Sequence, residues 1–301
     1  MTDATHSRRL EAWSRLAQQK SAVLGGGFFL VILTVVLFGP LVWTLDPQLV
    51  DIRDRNAPMS LDHPLGTDQL GRDMLARMME GGRASLAVGM AAMLLSLAIG
   101  GLIGVLAGFV RWLDGVLMRL TDLFLALPLL PLVLVIILLF RDTLRTLFGQ
   151  EAGIFMMVVA VIGITSWMQT ARVVRGEVLT LRERDFVIAA RSVGTPPRRI
   201  VRRHILPNVL SPMMVSATLG IANAIITESA LSFLGLGFPS DFATWGRLLF
   251  DATDYLQQYP GRVLWPGLAI SLTVLSVNYL GDGLRDSLDP RISHRARRRR
   301  P

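Results

Sequence analysis

Long apolar runs alternate with shorter polar segments along the whole chain. Six runs contain no charged residue and have about 18 to 27 residues each. A helix of about 20 residues, rising about 1.5 Å per residue, crosses the roughly 30 Å hydrocarbon core of a bilayer. The pattern therefore predicts an all-α integral membrane protein with six transmembrane helices, over residues 21–45, 84–110, 123–140, 152–171, 205–227 and 263–281.

The first apolar run could instead belong to a cleaved signal peptide. Its length exceeds the roughly 7 to 15 apolar residues of such a peptide. The residues that close it, Trp43, Leu45 and Asp46, offer no small-residue cleavage site. We therefore expect a retained helix over residues 21–45, preceded by a polar segment, residues 1–20.

Charge predicts how the helices are oriented. The chain has a net charge of +8 from 31 lysines and arginines and 23 acidic residues. If the six helices hold, 22 of the 31 basic residues lie on one side, in segments 1–20, 111–122, 172–204 and 282–301. The positive-inside rule makes that side cytoplasmic, with both termini. The basic tail, residues 286–301 with Arg297–Arg300, should then face solvent or lipid headgroups rather than nucleic acid.

The remaining residues divide into an external segment and a core. Residues 46–83 form the longest connection on the opposite side, where Thr67 could cap a short amphipathic helix that begins near Asp68. Residues 84–285 then form a core of five helices that includes the basic loop 172–204.

Small residues and prolines mark two of the predicted helices. Gly100, Gly104 and Gly108 recur at every fourth position, which places them on one helix face and permits close packing. That packing could lie within this chain or against a partner subunit. Pro128 and Pro131 predict a bend in the third helix, a feature that often accompanies a cavity.

Composition adds little chemistry to this picture. Hydrophobic residues make up 51% of the chain, as expected of a membrane protein, and cysteine is absent, which excludes disulfides and thiolate chemistry. No nucleotide-binding P-loop, H-E-x-x-H pair or G-x-S-x-G elbow occurs, and the four histidines are isolated. We expect no catalysis, cofactor or metal in this chain.

Two acidic residues lie in or beside the apolar runs. An ionised Glu228 within the bilayer costs at least about 2.5 to 3.5 kcal/mol, so it should face protein, water or a partner. Functional and structural roles are both open for it. Asp122 lies near the cytoplasmic end of the third helix, where capping or an interfacial role is favoured. We take Asp122, Pro128 and Glu228 as candidates for a translocation path, and a proton-coupled secondary carrier that uses Glu228 is the alternative.

The basic loop predicts two short helices at an angle. Residues 185–193 place Phe186, Ala189, Ala190 and Val193 on one face, and Gly194 supplies a left-handed residue that ends this helix. Thr195 is expected to cap a second helix, with Pro196 and Pro197 in its first turn and a break at Pro207 before the next span.

These two helices are too short to be stable alone and expose an apolar stripe. We expect them to dock onto a cytoplasmic protein, with lipid headgroups as the simpler alternative. A DNA-binding helix-turn-helix is disfavoured, because both ends are tethered to transmembrane helices and the membrane obstructs access to the major groove.

The run "RGEVLTLRERDFVIAARSVGTPPRRIVRRHILPNVLSPMMV" resembles the coupling loop of dipeptide/oligopeptide ABC-transporter permeases. That family's pattern is Glu-Ala-Ala, a Gly after three more residues, then Ile-Leu-Pro; the matching residues are Ala189, Ala190, Gly194, Ile205, Leu206 and Pro207. Ile188 stands where the family usually has Glu, so apolar packing through Phe186 and the alanines would contribute more of the contact with the ATPase. "HPLGTDQLGRD", "LMRLTDLFLALP", "ESALSFLGLG" and "GDGLRDSLDPR" extend the resemblance, whereas "FPSDFATWG" departs from the proline-rich form expected there.

The resemblance implies a type I ABC importer permease fold with a cytoplasmic coupling helix, in a bacterial cytoplasmic (inner) membrane. The implied partners are a second, homologous permease, two cytoplasmic ATPases that bind ATP and Mg, and an extracytoplasmic solute-binding protein. Alternating access would import dipeptides, longer peptides, nickel complexes or other small solutes. The residues expected to contact or position the ATPase are Phe186, Ala189, Ala190, Arg191, Gly194, Thr195, Pro196, Ile205 and Pro207.

Overall fold

The computed structural model describes residues 19–288, which are mostly helical; the longest connections are residues 43–73, with one isolated bridge between Thr67 and Asp73, and residues 234–244. The predicted N-terminal segment up to residue 18, and the tail from residue 289 with Arg297–Arg300, lie outside the described residues. The helices are α1 (Lys20–Val42), α2 (Met74–Phe109), α3 (Arg111–Ala126), α4 (Leu129–Phe148), α5 (Gln150–Arg182), α6 (Asp185–Ser192), α7 (Pro197–Ile200), α8 (Leu206–Phe233), α9 (Trp245–Ala252) and α10 (Gly261–Leu288).

Five of the six predicted transmembrane helices are present as long, apolar helical runs: α1, α2, α5, the run from α7 through α8, and α10. The third, predicted over 123–140, is two helices that meet at 92°. The chain breaks at Leu127, which is extended, because the ring of Pro128 disfavours a helical conformation in the preceding residue. The two helices together replace the single kinked span.

The second span begins earlier than predicted, and no separate helix begins at Asp68. Residues 74–109 form one continuous helix of 36 residues. Asp73 caps it by accepting the N–H of Ala76 at 2.7 Å. The Thr67 hydroxyl serves the preceding loop instead, accepting the N–H of Ala57 at 2.8 Å and donating to the carbonyl of Asp54. The prediction that Thr67 caps this helix is therefore wrong, because Asp73 takes that role.

The bundle has two chemically different ends. One end, here called the arginine-rich end, contains α3, the C-terminal half of α5 and residues 185–205. The other, the loop-rich end, contains residues 43–73 and 234–260. Side-chain contacts join the segments at each end: Arg175 of α5 donates to the carboxylate of Asp114 in α3 at 2.7 Å, and Arg72 donates to the carbonyl of Ser240 at 3.3 Å.

The glycine stripe of α2 packs within the chain, against α5. A Cβ atom on Gly104 would lie 2.6 Å from both the carbonyl oxygen of Ala171 and the Cβ of Val174. Gly100 and Gly108 meet α5 at similar distances, through Trp167 and Val178. Such distances leave no room for a side chain, so the stripe sets the spacing of the two helices.

A buried ionic cluster organises the loop-rich end. The Asp68 carboxylate accepts Arg72 Nε at 2.7 Å and Arg77 Nη1 at 2.6 Å. Both arginines also donate to the carbonyl of Ser240, at 3.3 and 3.2 Å. Burial raises the pKa of Asp68, but the two guanidiniums and the N–H groups of Arg72 and Leu70 outweigh it, so that the pKa lies below its ordinary value.

Asp68→Asn should therefore destabilise the loop-rich end, by about 3 kcal/mol at neutral pH, because two buried guanidiniums lose their counter-charge. Since folding lowers the pKa of Asp68, its contribution is complete above the ordinary carboxyl pKa of about 3.9 and is lost as pH falls through the lower, folded value. Thermal unfolding in detergent from pH 7 to pH 3 should show a steeper acid loss in the wild type than in Asp68→Asn. Asp62→Asn, an exposed change in the same segment, should follow the wild type; equal curves for all three proteins would contradict the assignment.

Candidate translocation path and coupling elbow

Residues 185–205, here called the elbow, form a fixed corner at the arginine-rich end. Gly194 has φ +76°, as predicted for a left-handed helix end. Its N–H donates to the carbonyl of Arg191 at 3.0 Å, and the N–H of Thr195 donates to that of Ala190 at 3.1 Å. This pair of hydrogen bonds is the Schellman arrangement, which satisfies the last carbonyls of α6 and turns the chain sharply.

The second half of the elbow differs from the prediction in two respects. Pro196, rather than Thr195, precedes α7, and no side chain caps that helix. Pro207 does not interrupt the chain, since α7 continues through a π turn, Val201–Ile205, into α8. Proline lacks the N–H that would bond four residues back, and a wider π turn just before it accommodates this loss. The elbow is therefore joined to α8 without a break.

Apolar side chains anchor the elbow to α5 and α8. Val187, Ile200 and Ile205 are almost completely buried and pack in one cluster against Val174, Val178 and Val209. Each such side chain contributes roughly 1.5 to 3 kcal/mol relative to exposure. The angle between α6 and α7 is thus held both by the glycine corner and by packing.

The opposite face of α6 is exposed and apolar. Phe186, Ile188 and Val193 are 43%, 47% and 80% exposed, and Ala189 is exposed beside them. Ala190 is half-buried at the edge of the anchoring cluster. Of the other predicted coupling residues, Arg191, Gly194, Pro196 and Pro207 are exposed, Thr195 is half-buried and Ile205 is buried.

A cavity of about 520 Å³ opens where α3 and α4 meet, between α5 and α8. All of its lining residues are uncharged. Its polar groups are hydroxyls and amides, and its apolar part includes Met93, Phe124, Leu125 and Met168; the polar lining residues are Thr165, Ser166, Gln169, Thr170, Ser216, Asn223 and Thr227. Such a surface can hydrogen-bond a neutral polar chain without fixing a charge.

The three predicted path residues lie at different places relative to this cavity. Pro128 sits at the helix break between Leu127 and Leu129, which both line it. Asp122 is exposed nearby and forms an ion pair with Arg172, and it does not line the cavity. Glu228 does not line it either.

Glu228 is fully buried and joins three helices. Its carboxylate accepts Ser85 Oγ of α2 at 3.0 Å and Ser232 Oγ of α8 at 2.8 Å. Ser85 in turn accepts the N–H of Trp245, the first residue of α9, at 3.2 Å. Of the two roles left open for Glu228, this geometry fits structural support at the loop-rich end.

The polar lining residues, above all Gln169 and Asn223, were not recognisable from the sequence. These residues carry no charge, so they do not interrupt the charge-free runs by which membrane helices are identified. Only the helix packing brings them to one cavity.

The fold is that of an ABC importer permease. A chain of the MetNI methionine ABC transporter, solved in inward-facing conformations, matches with a TM-score of 0.55 and covers 72% of this chain and 97% of that chain. The two sequences are 18% identical, so this likeness concerns the fold alone. The predicted fold class is confirmed.

The chain belongs to the family described as "binding-protein-dependent transport system inner membrane component", which matches residues 100–294. Residues 7–58 match the "N-terminal TM domain of oligopeptide transport permease C". The resemblance to dipeptide/oligopeptide ABC permeases is thereby confirmed. Permease subunits of this family are not catalytic themselves and carry no cofactor.

Named relatives are similar over almost the whole chain. A Brucella suis protein named as a peptide permease is 42% identical over 92% of this chain and 89% of its own length. The oligopeptide transport system permease protein of Bacillus subtilis is 35% identical over 94% and 89%, respectively. The dipeptide transport system permease protein of Alkalihalophilus pseudofirmus is 36% identical over 94% and 90%.

Proposed function

We propose that this chain is the permease subunit of an ATP-driven, binding-protein-dependent importer of dipeptides or oligopeptides. The observation that carries the proposal is the elbow: an exposed apolar stripe on a fixed corner that continues into α8, a wall of the cavity. The names of the relatives support peptides as the substrate class. No observation favours the alternative of a self-sufficient proton-coupled carrier, because Glu228 is enclosed by protein and does not line the cavity.

The arginine-rich end faces the cytoplasm in this proposal, in accordance with the positive-inside rule, and both termini lie on that side of a bacterial inner membrane. Two ATPases, which bind ATP and Mg, grip the elbow through the stripe of Phe186, Ala189 and Val193. A second, homologous permease completes the path, and a solute-binding protein delivers substrate to the loop-rich end.

The proposed mechanism is alternating access. Closure of the ATPase dimer displaces the two elbows, and because α7, the π turn and α8 are continuous, the displacement reaches Ser216 and Asn223 in the cavity wall. Pro128 marks a joint at which α3 and α4 can change their angle. Asp122 forms an ion pair with Arg172 and so connects α3 to α5 near the cavity. Glu228 supports the start of α9 through Ser85.

Neutral lining fits peptides of varied charge, since hydroxyls and amides can pair with the peptide backbone whatever the side chains are. Asn223→Asp should impose a charge preference that the wild type lacks. At about 4 Å in water a charge pair is worth about 1 kcal/mol, attractive for lysine and repulsive for glutamate, so uptake of lysine-containing over glutamate-containing dipeptides should rise about thirtyfold. Competition uptake in proteoliposomes with the complete transporter measures the ratio. Asn208→Asp, exposed and outside the cavity, serves as the control; an unchanged ratio in Asn223→Asp would exclude Asn223 from the path.

Copurification tests the function itself. The tagged chain, extracted from its own membrane, should bring with it an ATPase pair and a second permease, and the reconstituted complex should hydrolyse ATP faster with peptide-loaded binding protein. If instead the purified single chain moves peptide along a proton gradient, and Glu228→Gln abolishes that movement, the chain is a secondary carrier and the proposal is wrong.

A further inference from the structure

Four arginines gather on the exposed side of the elbow, just before α8. Arg198, Arg199, Arg202 and Arg203 are all exposed and line a groove of about 830 Å³ together with Pro196 and Pro197. The stripe of α6 described above does not contribute to this groove. The groove is therefore a separate surface with its own chemistry.

The cluster concentrates positive charge, and its four side chains form no ion pairs with the described residues. Guanidinium groups pair with phosphate oxygens through two parallel N–H donors, and they are more weakly hydrated than ammonium groups. The chemistry of the groove fits a phosphate-bearing ligand.

The position of the cluster identifies the source of that phosphate. Leu206, the first residue of α8, follows Arg202 by four residues, a rise of about 6 Å along a helix. Leu206, Leu210 and Met214 are 42%, 50% and 56% exposed and recur at every fourth position. An apolar column thus continues from the arginines along the membrane helix.

We propose that the groove binds an anionic phospholipid, with its headgroup phosphate among the guanidiniums and an acyl chain along Leu206, Leu210 and Met214. An acidic protein surface would match the arginines but not the apolar column beneath them. The proposal requires that α8 spans the membrane, and it does not depend on peptide transport. Because Pro196 and Pro197 belong both to the groove and to the corner of the elbow, a bound lipid steadies the part that the ATPases are proposed to move.

Lipid titration of the full chain tests the proposal. The purified chain in detergent is titrated with dioleoyl phosphatidylglycerol or dioleoyl phosphatidylcholine, and bound lipid is counted by native mass spectrometry. The wild type should prefer phosphatidylglycerol. Arg202→Gln/Arg203→Gln should weaken phosphatidylglycerol binding by about thirtyfold, since each arginine near an anionic surface contributes about 1 kcal/mol. Arg119→Gln/Arg184→Gln removes two exposed arginines from the same end and should stay within about twofold of the wild type.

Two further measurements distinguish a lipid headgroup from free phosphate, and a lipid from a protein partner. Inorganic phosphate and acyl-free glycerophosphoglycerol should not displace the lipid at equal concentration, because they lack the acyl chain. Thermal unfolding in phosphatidylcholine should be the same for the wild type and both double variants, which shows that the folds are intact. Equal phosphatidylglycerol affinity in the wild type and Arg202→Gln/Arg203→Gln would overturn the proposal. Unchanged lipid binding with loss of ATPase copurification would assign the cluster to a protein partner instead.

Discussion

Gly194→Val is expected to leave the chain folded and inserted while lowering the amount of peptide imported per ATP hydrolysed by about tenfold. No atom lies within 4 Å of the position that a Cβ on Gly194 would take, so the substitution causes no clash. Its φ of +76°, however, is strained for a β-branched residue by roughly 1 to 3 kcal/mol. Relief of that strain opens the Schellman corner and changes the angle between α6 and α7. Helix α6 can then still contact the ATPases, but its displacement is no longer transmitted to α8.

A matched control separates backbone geometry from the added side chain. Gly176 lies within α5 and is exposed, and a Cβ added there would also have no atom within 4 Å, but the backbone of Gly176 is helical. Gly176→Val should therefore transport normally. Peptide uptake and ATP hydrolysis are measured together in proteoliposomes that contain the complete transporter. A normal ratio of uptake to hydrolysis in Gly194→Val would contradict a mechanical role for the corner.

Gly104→Leu is expected to prevent correct folding. The first atom of any side chain at this position meets the backbone carbonyl of Ala171 and the side chain of Val174 at 2.6 Å, and neither can move without displacing α5. Overpacking of this kind costs about 3 kcal/mol or more for a leucine between two helix backbones. The helices α2 and α5 should separate, and the cavity and elbow that α5 supports should be lost with them.

Size-exclusion profiles and thermal unfolding in detergent measure this effect. Gly104→Ala should be intermediate, because it adds the clashing Cβ alone. Gly27→Leu on α1, where nothing lies within 4 Å of an added Cβ, should behave like the wild type and shows that leucine itself does no harm. Equal melting temperatures for Gly104→Leu and the wild type would show that the α2 and α5 contact does not hold the bundle together.

Much of the architecture could be predicted from local patterns. Hydropathy identifies a membrane helix because the bilayer requires about 20 apolar residues whatever the tertiary fold. Gly194 was recognisable as a helix end from local sequence alone. It follows an amphipathic run, and two prolines, Pro196 and Pro197, come shortly after it. The apolar stripe of α6 followed from the spacing of Phe186, Ala189 and Val193.

Features that depend on competition between neighbours were not predictable in the same way. Pro128 predicts a disturbance, but a bend and a break of 92° are both compatible with the same local sequence. Thr67 and Asp73 are both good capping residues. The hydrogen bonds of the Thr67 hydroxyl to Ala57 and Asp54 cannot be predicted from the residues next to Thr67. Pro207 was expected to interrupt the helix, yet a π turn keeps the chain helical through it.

The candidate site depends still more on long-range contacts. Glu228 accepts a hydrogen bond from Ser85 of α2, 143 residues away, and Ser85 in turn accepts the N–H of Trp245 in α9. Gln169 and Asn223 belong to different helices, and nothing in their own surroundings marks them as neighbours. Their juxtaposition in the cavity follows from the packing of α5 against α8.

Thiol protection of the elbow shows whether ATPases bind it in the working transporter. The chain contains no cysteine, so Val193→Cys provides a single reactive group on the exposed stripe, and Leu61→Cys provides one at the loop-rich end, where Leu61 is 95% exposed. In the isolated chain both thiols should react with a membrane-permeant maleimide. In the assembled, ATP-hydrolysing transporter the Val193→Cys thiol should lose most of its reactivity while Leu61→Cys keeps it. A Val193→Cys thiol that reacts equally fast in the isolated chain and in the active assembly would contradict the claim that ATPases grip this elbow.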